Sequence, residues 1–534
     1  MSTSAAASTD QSSMATPAAR IAPSIPALFF VFLALIVPLF AQHHLINGDG
    51  DVARHIRHGL YMLQHRTLIW NDPFSFTRPG EPFIPFEYGS QLLYALVFDL
   101  GGLAGVSVLA GVLIGAAYAL LARFLLRRGV DPLLAALITA SAAVLGFSHW
   151  IARPHLFSWV AIVLLLGLVD ARRRPRIWVY PLLFALWANI HGAWLYGIAI
   201  LGIYLVGHAI EYRWFGRSVE ERAAVRHFAL VLPLACMATL ATPMGVRVWT
   251  HLYAHLGDNY VLDHTMEFRS PDFHSLVAKI LLLVLLGSLA ALIMSSRRMH
   301  FARLLVVIAG FWWALISERN IPLFGITGLA VVALHLDFEW RALPSRWLAR
   351  RRAGFAAGAL QSATAGWVLL CCFVLSLVAV GHGRLLGRQL VADDFDDSVF
   401  PVAAVRAARV ANLEGRIFAD FTWGGYVLFA WPEQRVFIDG GTDFYGSAIM
   451  RDYDRISQLE PDWRDILERW RVDAVLTDSH SKLASEIART PGWALWYCDS
   501  VAVIARRDAS ATGGYPYRRE SELKACAGPS AERR

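Results

Sequence analysis

The stretch Gly48-Asp49-Gly50-Asp51-Val52-Ala53-Arg54-His55 follows directly on an apolar segment that begins near residue 25. Two carboxylates and a histidine therefore stand where the chain has just left a greasy run. Beyond them Val52, Ile56, Leu60 and Leu63 fall on one stripe of a helix over Val52 to His65, with Arg54, Arg57 and His58 off it. A helix of that pattern lies along a membrane surface. Asp51 and His55 are four residues apart and share a face. Asp51 reads as a cap for the free N–H groups of the first turn, as a catalytic acid, or as both. Asp49 is then a loop acid.

The surrounding chain decides what kind of surface this is. Its 534 residues are 56% hydrophobic and 17% charged, with a mean hydropathy of +0.44, whereas soluble domains carry roughly 25% charged residues. About eleven segments between 25 and 381 approach or exceed the roughly 17-residue minimum for a span. Alternate loops collect arginine: Arg123, Arg127 and Arg128; Arg172 to Arg174 and Arg176; Arg213, Arg217, Arg222 and Arg226; Arg297, Arg298 and Arg303; Arg341, Arg346 and Arg350 to Arg352. That is the positive-inside pattern. It places the N-terminus in the cytoplasm, the loop after the first span outside, and everything from about residue 385 outside. The net charge of +7 is accounted for by topology, and no nucleic-acid partner is expected.

The expected fold class is an α-helical polytopic membrane protein with a C-terminal extracytoplasmic α/β domain. Residues 1–24, rich in Ala, Ser and Thr, form a disordered cytoplasmic N-terminus. The transmembrane domain covers 25–381 and includes a structured outer loop at 42–88. Residues 89–122 exceed one straight span, so 89–100 reads as a shallow entry helix and 103 onward as the span. A linker at 382–414 leads to the α/β domain at 415–507, and 508–534 is a disordered tail. In 415–507, RIFADF, YVLFA, RVFIDG, DAVLTD, ALWYCD and VAVIARR read as strands, with helices at 445–458 and 481–489. Cys498 and Cys526 both fall outside, where a disulfide can form.

Polar residues recur at the outer ends of the spans: Glu87, Arg153, His155, Asn189, His191, Glu267, Glu318, Arg319 and Asn320. Ionisable groups at membrane depth cost a few kcal/mol unless paired or hydrated, so each alone reads first as an interhelical tie. Converging, they would make a polar site at the interface. Glycosyl transfer from a lipid phosphate carrier needs such equipment: a carboxylate to take the acceptor's proton, and arginine or a metal ion to offset charge on the leaving phosphate. Asp439-Gly440-Gly441, with Tyr426, Asp443 and Tyr445, reads first as a turn. Acceptor binding or packing on the membrane domain is the sharper alternative. The run Asp393-Asp394-Phe395-Asp396-Asp397 reads as a solvated linker before a calcium site.

In this order of parts the chain resembles the GT-C class of integral-membrane glycosyltransferases, which includes protein O-mannosyltransferases and oligosaccharyltransferases. More closely it resembles a group of largely uncharacterised bacterial membrane proteins related to that class. The matches are Asp51-x-x-x-His55-x-x-x-Gly59, Asp72 to Ser75, Glu87 with Ser90 and Gln91, Arg153-Pro154-His155, and Trp187-x-Asn189-x-His191-Gly192. Arg319 to Phe324, Trp423 to Tyr426 and Phe437 to Gly440 complete them.

The resemblance implies a polyprenyl-phosphate-sugar donor, an inverting transfer and Asp51 as the catalytic base. His55, Glu87, Arg153, His155, Asn189, His191, Glu267 and Arg319 are the expected substrate-binding residues. Some members of the class use a divalent metal, for which Asp49 and Asp51 are the candidate ligands, and others use none. The expected partners are the donor, membrane lipids, and a glycan, lipid or protein acceptor. The expected location is the bacterial inner (cytoplasmic) membrane. The rival readings are a transporter or flippase for a lipid-linked saccharide and a non-catalytic envelope assembly protein. A transporter would concentrate polar groups near the midplane.

Overall fold

The computed structural model describes residues 23–171, 173–344 and 364–508. The N-terminal stretch 1–22, the tail beyond 508 with Cys526, and Arg172, Arg346 and Arg350 to Arg352 lie outside the described residues.

The first span, Ile25–Phe40, begins at Ser24, whose hydroxyl accepts the N–H of Ala27 at 3.3 Å. It packs along the 41-residue helix Tyr88–Arg128 where Gly111 and Gly115 stand four apart. A Cβ at Gly111 would lie 2.8 Å from Cδ of Pro38, and one at Gly115 would lie 2.9 Å from the Phe30 carbonyl. Small residues at that spacing let two backbones approach in a bilayer, where close packing replaces the hydrophobic drive.

A straight helix of 41 residues would run about 60 Å, twice the hydrocarbon core. The helix breaks instead at Gly101 and Gly102, the latter at φ +60°, where the sequence divides an entry helix from a span. Asp393 accepts the N–H of Ala104 at 3.0 Å at the restart and takes His382 at 2.9 Å, while Asp396 pairs with His43 at 2.6 Å. The acidic run is thus strapped to the bundle rather than free in solvent.

Helices run through the apolar segments wherever they are described. Among the described residues five are long and apolar enough to cross a membrane, and five more are apolar but shorter. The most apolar window is 72% buried in Glu318–Ala342 but only 17% buried in Leu276–Ile293. The former is therefore central and the latter peripheral, with Leu283 and Ile293 turned outward as lipid-facing residues are.

The C-terminal domain carries a four-stranded sheet in the order Ile417–Ala419, Ala474–Asp478, Ala502–Arg507, Trp493–Cys498. The first pair is parallel and the others antiparallel. YVLFA is not a strand: it lies in the helix Phe421–Ala430. Short apolar runs are ambiguous between buried strand and buried helix, and this one is covered on several sides. RVFIDG stays extended but makes only isolated bridges, Val436 pairing with Ser75 and with Ile417. Phe76 donates its N–H to Val436 O at 3.1 Å, and Val436 donates to Phe74 O at 2.9 Å. The loop after the first span is thereby hydrogen-bonded into the C-terminal domain.

The helix Asp51–His65 does not lie on a surface. Residues 51–56, 58, 59 and 62 are buried, between Tyr88–Arg128 on one side and Phe421–Ala430 on the other. Glycines make both approaches possible. A Cβ on Gly59 would overlap the Gln91 carbonyl, one on Gly50 the Thr422 carbonyl, and one on Gly425 the Gly50 carbonyl. The polar face that looked solvent-directed in sequence is matched by carboxylates of the C-terminal domain.

Candidate active site

Asp51 opens its helix at the first position, and Gly50 is the N-cap with no side-chain capping bond. The capping oxygen comes from Asp49, whose Oδ1 accepts the N–H of Asp51 at 2.9 Å. The Asp51 carboxylate is left to face two guanidiniums. Arg153 donates to Oδ2 at 2.5 Å, and Arg54, one turn along the same helix, donates from Nε to Oδ1 at 3.3 Å. Spacing three apart on a helix makes Asp51 and Arg54 neighbours, which was the signal available for Arg54 in the sequence.

Arg153 gathers a second and a third carboxylate. Its Nη1 lies 3.2 Å from Asp49 Oδ2 and also hydrogen-bonds Glu267, which lies in the inter-span loop 242–275, a segment that carries the short helices Arg247–Leu256 and Asn259–His264. Burial pushes the Asp49 carboxyl up, against the pull of Arg153. Burial acts on Glu267 in the same sense, but Arg153 and Arg319 outweigh it and hold that carboxyl well below the usual range. Arg319 is different. Among the described residues its side chain makes no salt bridge or hydrogen bond, and it lies 4.5 Å over the Phe268 ring.

Beside this cluster runs a chain of weaker polar contacts. Glu87 places Oε2 3.8 Å from His55 Nδ1 and Oε1 3.6 Å from His191 Nε2. Trp187 donates its indole N–H to Ser158 Oγ at 2.7 Å, and Ser158 reaches His191 Nδ1 at 2.8 Å. Ala193 N–H also donates to that Nδ1, so the neutral ring carries its proton on Nε2, toward Glu87. Burial keeps both His55 and His191 well below the usual imidazole range. Burial also pushes Glu87 up to about 7, with Arg54 opposing.

Asn189 and His155 make structural bonds. Asn189 receives the Tyr88 hydroxyl and donates to Ala185 O and Ala241 O; His155 Nε2 bonds His149 O at 2.8 Å. Asn189 thereby anchors the start of the helix that positions Glu87.

The C-terminal domain supplies the lid of the cluster. Gly440 stands so close to Asp51 that a Cβ there would fall 1.7 Å from Oδ1. Asp439 Oδ1 lies 3.9 Å from Arg54 Nε and accepts the Gly441 N–H at 2.7 Å. Tyr445 donates its hydroxyl to Asp439 Oδ2 at 3.2 Å. Burial pushes Asp439 up to about 6, with Arg54 opposing. Asp443 takes His251 of the 242–275 loop at 2.9 Å; burial would raise its carboxyl, but that bond and the neighbouring charges hold it well below the usual range. Asp439-Gly440-Gly441 is thus a packing surface on the loop that carries Asp51, the sharper of the two sequence alternatives.

Asp49, Asp51 and Glu267 are the carboxylates that could hold a divalent metal here, and the Arg153 guanidinium stands among them. As arranged, they fit a guanidinium and not a metal. At the far end of the bundle His208, Glu221 and His300 offer metal-capable atoms within 4.8 Å of one another. There His300 Nδ1 accepts the Ala302 N–H at 3.2 Å, so its neutral ring keeps a proton on Nε2, toward Glu221. That trio reads as a hydrogen-bonded tie between three helices.

No protein-family model matches the chain, and no curated protein matches it in sequence. Solved structures do. The Archaeoglobus fulgidus oligosaccharyltransferase tethered to an acceptor peptide superposes with a TM-score of 0.55 at 14% identity, over 91% of this chain and 73% of that one. The same organism's oligosaccharyltransferase AglB, in complex with an inhibitory peptide and a dolichol-phosphate, gives 0.51 at 14% identity, over 91% and 73%. ArnT from Cupriavidus metallidurans bound to undecaprenyl phosphate gives 0.46 at 15%, over 91% and 99%.

These structural neighbours are glycosyltransferases of the GT-C type. The chain is a multi-pass membrane protein with the GT-C fold, a helical membrane domain continued into a C-terminal domain built on small sheets.

Proposed function

We propose that the protein is a glycosyltransferase that moves a sugar from a polyprenyl-phosphate carrier to an envelope acceptor at the outer face of the cytoplasmic membrane, with Asp51 as general base. The observation that carries this reading is the convergence of Asp51, Arg153, Glu267, Glu87 and His191 under the C-terminal domain. One buried carboxylate there is bracketed by two guanidiniums, and an uncommitted Arg319 stands near. The fold similarity supports it, since neighbours of that fold are solved with a dolichol-phosphate and with an acceptor peptide.

The roles follow from the geometry. Arg319 has no direct salt bridge to break among the described residues, so it takes the lipid phosphate and stabilises the charge that grows on it as the sugar leaves. Asp51 receives the proton of the acceptor hydroxyl as that oxygen attacks the anomeric carbon on the face opposite the phosphate. Arg54 and Arg153 fix the Asp51 carboxylate, which keeps its lone pair oriented. His55 and Glu87 shape the neighbouring wall.

The test is mass spectrometry of envelope glycans, lipids and glycoproteins in the parent strain and in a deletion strain. The reading requires a defined sugar residue missing from one acceptor class and restored by the gene. Identical glycoconjugates in both strains would remove it. Accumulation of the unused lipid-linked sugar on the inner leaflet, with every transfer intact when the donor is supplied outside, would point to the flippase instead.

A further inference from the structure

We propose that Arg153 takes the place of a divalent cation in this protein: its guanidinium is the built-in counter-ion of Asp49, Asp51 and Glu267, and these carboxylates hold a metal only when it is removed. The proposal rests on the active-site reading for its bearing on catalysis, but its test does not depend on that reading.

The three acids come from three places: the loop before the Asp51–His65 helix, the first turn of that helix, and the 242–275 loop. Hard oxygen donors gathered round one cation are how a protein holds magnesium, manganese or calcium. Here the three carboxylates are spaced for the larger guanidinium: among the described residues only His208, Glu221 and His300 bring donor atoms within 4.8 Å of one another. The place of the cation is filled by the two terminal nitrogens of one side chain. Nη2 takes Asp51 at 2.5 Å, and Nη1 takes Asp49 at 3.2 Å and Glu267 as well. A planar fork suits this better than a lysine would, because one guanidinium can serve several carboxylates at once.

The fork is not a loosely held surface group. Ala152 donates its N–H to Leu45 O at 2.9 Å, Arg153 donates to Ile151 O at 2.7 Å, and Leu156 donates to Arg153 O at 3.2 Å. The first of these backbone bonds pins the turn to the chain that leads into Asp49, and the other two close the turn on itself. A guanidinium also cannot lose its proton to make way for a metal, unlike a lysine or histidine. A cation at about 2.0–2.6 Å from each carboxylate oxygen would stand against a fixed positive charge only a few ångströms away. In a partly buried site that repulsion is large.

The experiment measures Mn²⁺ binding to the purified full-length protein in detergent, by electron paramagnetic resonance and calorimetry. Wild type should show no Mn²⁺ binding that depends on Asp51, and EDTA should leave its melting temperature unchanged. Arg153→Ala should bind Mn²⁺ at least about tenfold more tightly than wild type, because the repelling charge is gone. Adding Glu267→Gln should abolish the gain, and Arg153→Lys should show less of it than Arg153→Ala.

Mn²⁺ binding to wild type that Asp51→Asn removes would overturn the proposal. So would an Arg153→Ala protein that is folded, by its melting transition, and binds no Mn²⁺. An Arg153→Ala protein that folds only with Mn²⁺ present would support it. Loss of all transferase activity in the strain test leaves these binding results standing, so the two readings fail separately.

Discussion

Gly440→Ala replaces one hydrogen with a methyl group on a residue that makes no chemical contribution of its own. The added Cβ would fall 1.7 Å from Asp51 Oδ1, where ordinary contact begins at 3.4 Å. Asp51 or the Asp439–Gly441 segment must therefore shift by about 1.7 Å. Asp51 is held from the other side by Arg153 at 2.5 Å and Arg54 at 3.3 Å, so the shift breaks at least one of those bonds or lifts the C-terminal domain. Misplacement of a catalytic group by about 1 Å can cost about 100-fold in rate. Overpacking a tight site costs about 1–3 kcal/mol of stability.

The expected result is thus a folded, membrane-inserted protein with transfer reduced about 100-fold or more. The assay is restoration of the missing glycoconjugate in a deletion strain, quantified by mass spectrometry, with melting temperature as the folding control. Gly287→Ala is the matched control, because a Cβ there meets nothing within 4 Å. Wild-type levels of product with Gly440→Ala would refute the claim that the C-terminal domain closes on Asp51.

Other expectations concern charge and packing. Glu87 sits at about 7 against an ordinary 4.5, so between those values the native state holds a proton that the unfolded chain has lost. Stability must then fall as pH rises from 4.5 to 7; Glu87→Gln should flatten that part of the melting-temperature profile, and an unchanged slope would contradict the burial argument. Arg319→Ala should abolish retention of polyprenyl phosphate in native mass spectrometry of the purified protein, while Arg319→Lys keeps part of it; full retention by the alanine variant would remove the proposed phosphate contact. Gly115→Leu should lower expression and melting temperature sharply, since a Cβ alone already approaches Phe30 O to 2.9 Å; a stable, fully expressed variant would argue against the tight crossing of the first two spans.

Local patterns carried much of this structure, and distant pairings carried the rest. The helix after Asp51 was legible from its stripe of Val52, Ile56 and Leu60, and Gly101–Gly102 from the excess length of the segment. Gly59 was visible only as part of a motif; its reason is a helix crossing at Gln91, 32 positions away.

The surface-helix reading failed for a physical cause. Arg54 and His58 look like solvent-facing residues until a domain about 380 positions later brings Asp439 and Asp443 to them. Burial of that face is a tertiary fact, and periodicity reports only one face at a time. The segment YVLFA, inside the helix Phe421–Ala430, reads as a strand for a related reason: an element covered on several sides has no polar stripe to betray its period. Arg153, Glu267 and Arg319 were legible as polar residues at span ends. What the spacing could not show was the division of labour between Arg153, committed to three carboxylates, and Arg319, committed to none.

The central claim is that the Asp51 carboxylate does chemistry on a sugar acceptor. Asp51→Asn keeps the size and shape of the side chain and removes its negative charge, so the measurement that bears on it most directly is the glycoconjugate profile of a deletion strain expressing this variant. Wild type should restore the missing sugar, and Asp51→Asn should restore none while inserting and folding normally. Full restoration by Asp51→Asn would contradict the account.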